Sequence, residues 1–422
     1  MENYLKIQSI KGRTVLDSRG YPTVEAVLKT KHYTVSASVP SGASTGTHEA
    51  HELRDGGKKW DGKGVTKAIG SVEYIGKALA GELVVHQERI DSVMRKLDGT
   101  PNKSKLGANA MLAVSIAAAK AAALHSHTPL YRWIDILSEK HDQPRLPVPF
   151  ANVINGGEHA SNTLAFQEFM IAPVGATSFI EASRIVSETY HALRRVILEE
   201  GGLVGLGDEG GFAPQIATPE EALELLEKAI RRAGHSKTIK IAIDAAASEF
   251  YDEHTNRYNL APGIMKPKTN KQMVDYYADL CAHYPIISIE DPFHEDDFGS
   301  FAQLVDRLEG VQVVADDLTV TAPDRIRTAI TKGSANTLLL KVNQIGTLTE
   351  AIESYKLARD AGWDVMISHR SGETEDHFMS DLCVGLGTGQ IKLGAPARGE
   401  RTAKYNQLLR IEDSRSLPYG LL

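Results

Sequence analysis

The stretch that decides the fold lies at residues 311–372 and contains three short apolar runs, VQVVADDL (311–318), NTLLLKVNQ (336–344) and DVMISHRSG (364–372). Each run is short enough for a strand buried on both faces, and each is followed by an amphipathic stretch of helical length. A strand followed by a helix, repeated, is typical of parallel β/α units. The fold class predicted by this pattern is α/β.

The same pattern extends upstream through KIAIDAAAS (240–248) and PIISIEDPF (285–293), and the insertion YDEHTNRYNL (251–260) predicts an extra hairpin. In a closed β/α barrel the carboxyl ends of the strands meet at one mouth. One carboxylate after a strand is more often a helix cap, but charged residues at five successive strand ends are hard to explain in that way. The sequence therefore predicts a TIM-like barrel whose mouth carries Asp244, Glu290, Asp316, Lys341 and His369.

The first part of the chain has a different pattern. Residues 4–40 alternate apolar and polar side chains, which predicts an antiparallel meander. The Ala-rich segment 107–127 is apolar nearly all round and is expected to lie buried. Charged residues and prolines at 138–149 indicate a linker. We therefore expect an N-terminal α+β domain at 1–140 and a C-terminal barrel domain at 141–422.

Length and charge restrict the function. A β/α barrel takes roughly 250 residues, so 422 residues leave room for a second domain. The net charge of -7 argues against a general nucleic-acid or anionic-membrane surface. There is no signal-peptide core and no run of 18 apolar residues, so a cytoplasmic protein with small-molecule partners is expected. Cys281 and Cys383 lack zinc-site spacing and are expected to be inert thiols.

The loop PSGASTG (40–46) allows two interpretations. It lacks the lysine of a P-loop, so a flexible turn is the first. The second is a lid whose oxygens, with hydroxyls at Ser41, Ser44 and Thr45, approach a metal ion or a phosphate. The two histidines of the following THEAHEL (47–53) are three apart, unlike the metalloprotease pattern, and are expected at the surface.

Two polar clusters lie in the first third of the barrel. His159 occupies the glycine-rich turn INGGEHASN, and Gln167 and Glu168 lie inside the apolar strand AFQEFMIAP, where burial is costly without partners or ions. Asp208 and Glu209 lie between glycines in GLVGLGDEGG, which lets the backbone approach closely. Because the mouth already carries carboxylates, this second acidic pair favours acid or base chemistry over a purely structural loop.

The residue types at the mouth predict a metal ion beside a base. Asp244, Glu290 and Asp316 offer oxygen ligands alone, which suits Mg²⁺ rather than zinc. Lys341 stands beside Asp316 on the next strand. An ordinary lysine has a pKa of about 10.4, but nearby Mg²⁺ and the ammonium of Lys392 are expected to lower it. A neutral Lys341 can then act as a general base.

An acid is expected on the opposite side. Glu168 and Glu209 are expected to share a proton, which raises one pKa so that a protonated acid survives at neutral pH. A base and an acid together imply removal of a proton and loss of hydroxide, and divalent cations stabilise the enediolate charge that develops beside a carboxylate. An anion-binding rim is expected from His159, Arg370, Ser371 and Lys392. A phosphorylated hydroxy acid fits this combination.

The chain resembles the enolase family over nearly its full length. The motifs that carry the resemblance are DSRG (17–20), PTVE (22–25), PSGASTG (40–46), ELRD (52–55), LDGT (97–100), NKSKLGANA (102–110), INGGEH (154–159), QEFM (167–170), GDEGG (207–211), DAAASEFY (244–251), SIEDP (288–292), DDL (316–318), LLLKVNQIGT (338–347), ISHRSGETED (367–376) and AKYNQLLRIE (403–412). The resemblance implies a barrel with an antiparallel second strand. It also implies reversible dehydration of 2-phosphoglycerate to phosphoenolpyruvate in glycolysis and gluconeogenesis.

The resemblance also implies residue roles and two Mg²⁺ per site. Lys341 would be the base at C2 and Glu209 the acid at the C3 hydroxyl, with Glu168 in support. The implied metal ligands are Asp244, Glu290 and Asp316 for one ion and Ser41 for the other. The implied substrate contacts are His159, Gln167, His369, Arg370, Ser371 and Lys392. A homodimer, or an octamer built from dimers, is the implied assembly.

Three departures from the family pattern concern residues without an assigned chemical role: Tyr21 in place of Asn, His294 in place of Ala, Asp or Glu, and Gly399 in place of Ser. Two alternatives stay open. A superfamily sugar-acid dehydratase or epimerase generally lacks the PSGASTG loop and the HRSG rim. A catalytically idle, enolase-like binding protein would be expected to have lost Lys341, Glu209 or a metal carboxylate.

Overall fold

The computed structural model describes residues 4–43, 46–139 and 141–420. It opens with a three-stranded sheet of β1 (Ser9–Leu16), β2 (Pro22–Lys29) and β3 (Thr34–Ser38). β2 is the central strand and pairs antiparallel with both neighbours, which confirms the predicted meander. The helices that follow are α1 (Thr66–Ala78), α2 (Gln87–Asp98), α3 (Ala108–His125) and α4 (Leu130–Leu137).

The rest of the chain is built around a closed barrel. Its strands and the inserted hairpin are, in chain order, β4 (Val148–Asn155), β5 (Glu168–Ala172), β6 (Lys240–Asp244), β7 (Tyr251–Asp252), β8 (Arg257–Tyr258), β9 (Ile286–Glu290), β10 (Gln312–Ala315), β11 (Thr337–Leu340), β12 (Asp364–Ser368) and β13 (Gln390–Lys392). β7 and β8 form the predicted extra hairpin, and the other eight strands close the barrel. Neighbouring barrel strands are parallel except at β5, which is antiparallel to both β4 and β6. The expected barrel variant is therefore confirmed.

Helices surround the barrel, and local sequence signals mark their ends. They are α5 (Phe179–Glu199), α6 (Pro219–Ala233), α7 (Asn270–His283), α8 (Phe298–Arg307), α9 (Pro323–Lys332), α10 (Val342–Ile345), α11 (Leu348–Asp360), α12 (Phe378–Leu386) and α13 (Gly399–Ser414). α6, for example, begins at a capping box formed by Thr218 and Glu221 and ends at Gly234 in the left-handed region.

Apolar side chains from six strands fill the barrel below its mouth: Val148, Phe150, Met170, Ala172, Ala242, Val314, Leu339 and Met366. Side chains two positions apart on a strand point to the same face. Asp244 and Lys341 therefore lie one inward-facing position beyond Ala242 and Leu339. The apolar layer thus forms the floor on which the charged residues of the mouth stand.

The Ala-rich helix α3 is buried as expected, with Lys120 and Leu124 the less buried positions within it. Among the described helices, α3 alone passes a test of length and composition for crossing a membrane, with a mean hydropathy of 1.3. Within the protein, 89% of this helix is buried. That burial is typical of the core helix of a folded domain.

Several smaller expectations can be compared with the structure. Cys281 and Cys383 are free, and burial raises their pKa values to about 11 and about 12, in keeping with inert thiols. His48 and His51 are exposed, as predicted. Ser44, Thr45 and the proposed domain boundary at residue 140 lie outside the described residues. The division of the chain there stays a prediction.

One carboxylate ties the N-terminal sheet and α3 to the barrel half. Asp376 Oδ2 accepts hydrogen bonds from the Ser38 backbone N–H at 3.0 Å and from Lys120 Nζ at 2.6 Å. Its Oδ1 accepts the Phe378 N–H at 3.0 Å, at the start of α12. Burial alone would raise the pKa of Asp376, but the Lys120 ammonium and the two N–H donors outweigh it and hold the pKa below its usual range.

We expect Asp376→Asn to lower the free energy of unfolding by about 2 kcal/mol at pH 7, because charged hydrogen bonds are lost. A depressed carboxyl pKa contributes stability above the unfolded value of about 3.9 and loses it as the pH falls through the folded value. The difference between wild type and variant should therefore shrink as the pH falls below the unfolded value and disappear once it has passed below the lower folded value. Urea unfolding at several pH values measures it, and a difference independent of pH would contradict the assignment.

Candidate active site

A small cavity of about 20 Å³ lies at the carboxyl mouth of the barrel. It is lined by His159, Gln167, Glu168, Glu209, Asp316, Asp317, Lys341, Ser368, His369, Arg370, Ser371 and Lys392. The structure therefore brings together the residues for which sequence and resemblance predict catalytic or substrate-binding roles. A larger cavity of about 760 Å³ lies elsewhere, beside β1 and Asp376. We place the candidate site by its chemistry, because the smaller cavity joins the lysines to the carboxyl pair.

The Lys392 ammonium is held among three buried carboxylates. Its Nζ lies 2.9 Å from Asp244 Oδ2, 2.8 Å from Glu290 Oε2 and 3.1 Å from Glu168 Oε1. Burial lowers the pKa of Lys392, but the surrounding carboxylates outweigh this effect and raise the pKa well above its usual value. The ammonium is therefore firmly charged and serves as the counter-ion of the predicted metal ligands.

Lys341 forms an ion pair with Asp316. Burial and the positive charges of Arg370 and Lys392 lower the pKa of Lys341, but the Asp316 carboxylate outweighs them and raises it. The downward shift expected from the sequence is thus not found in this structure. The physical reason is that Asp316 contacts the ammonium directly and stabilises its charged form.

The carboxyl pair Glu168 and Glu209 has divergent pKa values, as expected of two acids that share a site. Burial and then the neighbouring Glu209 raise the pKa of Glu168. Burial would also raise the pKa of Glu209, but His369 and His159 outweigh it and hold that pKa well below its usual value. These opposite shifts favour a proton on Glu168 over one on Glu209. His159 Nδ1 lies 3.7 Å from a carboxylate oxygen of each acid.

The predicted anion-binding rim is engaged by a side chain for which the sequence predicted no role. Glu49 accepts hydrogen bonds from Arg370 NH1 and NH2, both at 3.0 Å, and the two side chains are 9% and 4% exposed. Ser371 Oγ accepts the Ala43 backbone N–H at 2.6 Å. The chain around the 40–46 loop therefore lies against the rim.

Three predicted metal ligands, Asp244, Glu290 and Ser41, are not among the residues that line the cavity. Asp244 and Glu290 contact Lys392, which does line it. Ser41 has other partners. Its Oγ donates to Glu52 Oε2 at 3.1 Å and accepts from Arg54 NH2 at 2.9 Å. Its backbone pairs with Gly372 in both directions, where an added Cβ on the glycine would lie 2.7 Å from the Ser41 carbonyl oxygen. The metal role of Ser41 stays a prediction, and it requires an exchange of these partners.

The donor set fits a hard divalent cation. Asp244, Glu290 and Asp316 offer carboxylate oxygens, which Mg²⁺ prefers. Ligand-capable atoms of Asp291, Asp316 and Asp317 lie within 4.8 Å of one another, as do those of His159, Glu168 and Glu209. Gln167 Oε1 and Glu168 Oε2 are buried acceptors with no hydrogen-bond donor among the described residues. Buried acceptors of this kind are satisfied by a cation or by a bound donor.

Sequence reasoning missed several contributors to the site. Asn152 Nδ2 donates to Glu209 Oε2 at 2.9 Å, and an asparagine inside the buried run of β4 was the available signal. Asp291 accepts the backbone N–H groups of Asp316 and Asp317 at 3.0 and 2.7 Å. Glu49 carried no local signal, because its partner Arg370 is distant in sequence.

The three departures from the family pattern lie away from the cavity. Lys63 Nζ sits 3.9 Å above the ring of Tyr21. The ring of His294 packs against Tyr251, with centroids 5.0 Å apart, and Gly399 lines the larger cavity. None of the three residues is among those that line the catalytic mouth.

A β/α barrel with a lysine, a buried carboxyl pair and three further carboxylates at its mouth defines an enzyme that moves protons on an anionic substrate. Comparison with known proteins agrees with that class. Residues 143–417 match the enolase C-terminal TIM barrel domain, and residues 7–134 match the enolase N-terminal domain. This chain belongs to the enolase family. It is a carbon–oxygen lyase of the hydro-lyase type.

Curated relatives are similar over their whole lengths. An enolase of Methanopyrus kandleri is 55% identical over 97% of this chain and 96% of its own. An enolase of Thermococcus gammatolerans is 54% identical over 98% and 96%, and enolase B of Dictyostelium discoideum is 51% identical over 97% and 95%. Full-length similarity at this level tells against the two alternatives that the sequence left open.

The buried pair of Glu49 and Arg370 yields a prediction. We expect Glu49→Gln to lower the free energy of unfolding by about 3 kcal/mol, because it takes the opposite charge away from a buried guanidinium. Inorganic phosphate should raise the melting temperature of this variant more than that of the wild type, since the arginine fork then accepts an anion. Urea unfolding and calorimetry measure the two effects.

The matched control is Glu353→Gln. Glu353 Oε1 lies 3.6 Å from Arg327 NH2, and both side chains are half exposed. Loss of such a surface pair should cost less than about 1 kcal/mol. Equal losses in the two variants would show that burial does not strengthen the Glu49 pair.

Proposed function

We propose that the barrel mouth catalyses the reversible dehydration of 2-phosphoglycerate to phosphoenolpyruvate, with Lys341 as the base at C2 and Glu209 as the acid at the C3 hydroxyl. The observation that carries the proposal is the single buried cavity lined by Lys341, by the pair Glu168 and Glu209, and by Arg370. Membership of the enolase family supports the reaction itself. The residue roles are inferred from the chemistry below.

Lys341 has to be neutral to remove a proton. In this structure the Asp316 carboxylate holds the ammonium in its charged form. If Asp316 served as a metal ligand, the ion would offset the negative charge of its carboxylate. The positive charges of Arg370 and Lys392 would then disfavour the charged form of Lys341. Lys341 then takes the C2 proton, and its burial keeps water from competing with the substrate.

We infer two Mg²⁺ ions per site. The proposed ligands are Asp244, Glu290 and Asp316 for one ion and Ser41 for the other. When bound, the ions supply positive charge that stabilises the enediolate developing beside the substrate carboxylate. Lys392, which the three carboxylates now surround, would turn toward the substrate as these oxygens become ligands.

The acid side works as a coupled pair. The pKa of Glu209 is held below its usual value and that of Glu168 is raised above it, which favours Glu168 as the holder of the proton. His159 Nδ1 lies 3.7 Å from an oxygen of each acid, beyond hydrogen-bond distance. Glu209 therefore acts as an acid after receiving the proton that Glu168 holds, and the departing C3 hydroxyl takes that proton as its bond to carbon breaks.

The remaining polar residues hold the anionic substrate. We propose that Arg370 and Ser371 bind an anionic group at the rim, with Lys392, His159, Gln167 and His369 around the carboxylate and the hydroxyl. Glu49 would yield the arginine fork to the incoming anion, because a phosphate or carboxylate makes the same paired hydrogen bonds. We further propose a cytoplasmic location and assembly as a homodimer, or as an octamer of such dimers.

The reaction is tested by following the ultraviolet absorbance of phosphoenolpyruvate when purified protein meets 2-phosphoglycerate and Mg²⁺. An absorbance rise that requires Mg²⁺ is expected, and Asp244→Asn should abolish most of it because a ligand charge is lost. Asp296→Asn, at an exposed carboxylate bonded to Arg325, is the matched control and should retain activity. If the wild-type protein gave no Mg²⁺-dependent rise in absorbance, the proposed reaction would be contradicted.

The division of labour is tested by exchange of the C2 proton with solvent deuterium. Lys341→Ala should abolish both exchange and dehydration, because the base is gone. Glu209→Gln should spare exchange while net dehydration falls by about a hundredfold or more, in the range of general acid catalysis. If the two variants lost both steps equally, Lys341 and Glu209 would not have separate roles.

A further inference from the structure

Arg401, near the start of α13, is a fully buried arginine that reaches the back of the active site. Its NH1 lies 2.5 Å from His369 Nδ1 and donates to the Arg370 carbonyl at 2.6 Å. Its NH2 donates to the carbonyls of Ser371 at 2.6 Å and of Asp208 at 3.1 Å. One guanidinium thus joins the turn after β12 to the loop that carries Glu209.

The contact with His369 determines the state of that ring. A guanidinium carries donors alone, so a ring nitrogen that bonds to it has to be an acceptor. His369 Nδ1 is therefore unprotonated, and the ring proton of the neutral imidazole sits on Nε2. His369 Nε2 lies 3.2 Å from Glu209 Oε2. The protonated ring nitrogen therefore lies beside the carboxylate for which we propose the acid role, although the pair does not meet the geometry of a hydrogen bond in this structure.

The backbone at Gly394 makes room for this arrangement. Gly394 has a φ of +79°, and a Cβ there would lie 3.1 Å from His369 Cε1 and 3.0 Å from Arg401 Cδ. The same Cβ would lie 2.8 Å from the Glu209 carbonyl oxygen. A glycine thus stands where histidine, arginine and the acid loop come closest, and a larger residue would push them apart.

We propose that Arg401 is a positioning residue that holds His369 in its Nε2–H tautomer and keeps that nitrogen beside Glu209. This inference rests on the proposed function for the role of Glu209, but the tautomer itself follows from the contacts alone. Arg401 is not among the residues that line the cavity. It acts through His369, much as a buried carboxylate orients a catalytic histidine from the opposite ring nitrogen.

The charges around His369 agree with a neutral ring. Burial and the Arg401 guanidinium outweigh the Glu209 carboxylate and lower the pKa of His369 to about 4. Lys392 acts in the same direction as Arg401. The imidazole should therefore stay uncharged and in one tautomer across the neutral pH range.

The tautomer is tested first in the wild-type protein. Nitrogen-15 spectra of the histidine rings should show His369 as the Nε2–H form, without titration between about pH 5 and pH 9. His369→Gln identifies its signal among the 15 histidines by removing it. A wild-type ring that carries its proton on Nδ1, or that titrates in this range, would overturn the proposal even if no variant folds.

The second test removes the guanidinium that contacts His369 Nδ1. In Arg401→Met we expect His369 to populate both tautomers and to titrate at a higher pH than in the wild type, since the donor and its positive charge are gone. Arg398→Met is the matched control: Arg398 donates to the Gly207 carbonyl of the same acid loop and to the Ser18 carbonyl. The control should leave the His369 tautomer unchanged. An unchanged tautomer in Arg401→Met would refute the proposal.

Kinetics separate positioning from a general structural role. Arg401→Met should lower kcat for dehydration by about ten- to a hundredfold, the usual loss for residues that orient active-site groups. Exchange of the C2 proton at saturating substrate should stay within about twofold, because Arg401 makes no contact with Lys341. Equal losses of exchange and dehydration would assign Arg401 to the fold alone. A wild-type enzyme that dehydrates no 2-phosphoglycerate would instead remove the proposed function and leave the tautomer result standing.

Discussion

The arrangement of the mouth depends on one buried ammonium. Lys392 lies within 3.1 Å of carboxylate oxygens from Asp244, Glu290 and Glu168, which β6, β9 and β5 bring to one place. Carboxylates this close repel one another strongly in a medium of low dielectric constant, so a central positive charge is needed to hold them together. The same balance prepares the site for a divalent cation, because oxygens that tolerate one buried cation can accept another.

The charged residues at the mouth are held in place by neighbouring side chains deeper in the fold. The apolar side chains of the barrel floor position the charged residues two places further along the same strands. Behind the acid side, Arg401 joins His369 to the loop of Glu209. At the rim, the Glu49 carboxylate accepts a hydrogen bond from the guanidinium of Arg370. Ion pairs and hydrogen bonds thus connect the proposed catalytic residues to residues that do not line the cavity, such as Arg401 and Glu49.

The strand ends could be predicted because the information is local. A short apolar run followed by Asp244, Glu290 or Asp316 shows the strand, its burial and its charged tip within a few residues. The pKa of Lys341 could not be predicted in the same way. The pKa depends on which neighbouring charge has the larger effect. The ion pair with Asp316 raises the pKa of Lys341, whereas Lys392 alone would lower it. The metal role of Ser41 was implied by the family resemblance, but the backbone of Ser41 pairs with Gly372, which is remote in sequence.

The sequence by itself determined the barrel, the order of its charged strand ends and the family, since short apolar runs with a charged end and contiguous motifs are properties of neighbouring residues. Tertiary structure alone decided which groups touch, such as Glu49 with Arg370 and Arg401 with His369. It also gave Glu168 and Glu209 opposite pKa shifts. The physical reason is that electrostatic interactions depend on distance and burial in space. Residues far apart in the chain acquire these only when the barrel closes.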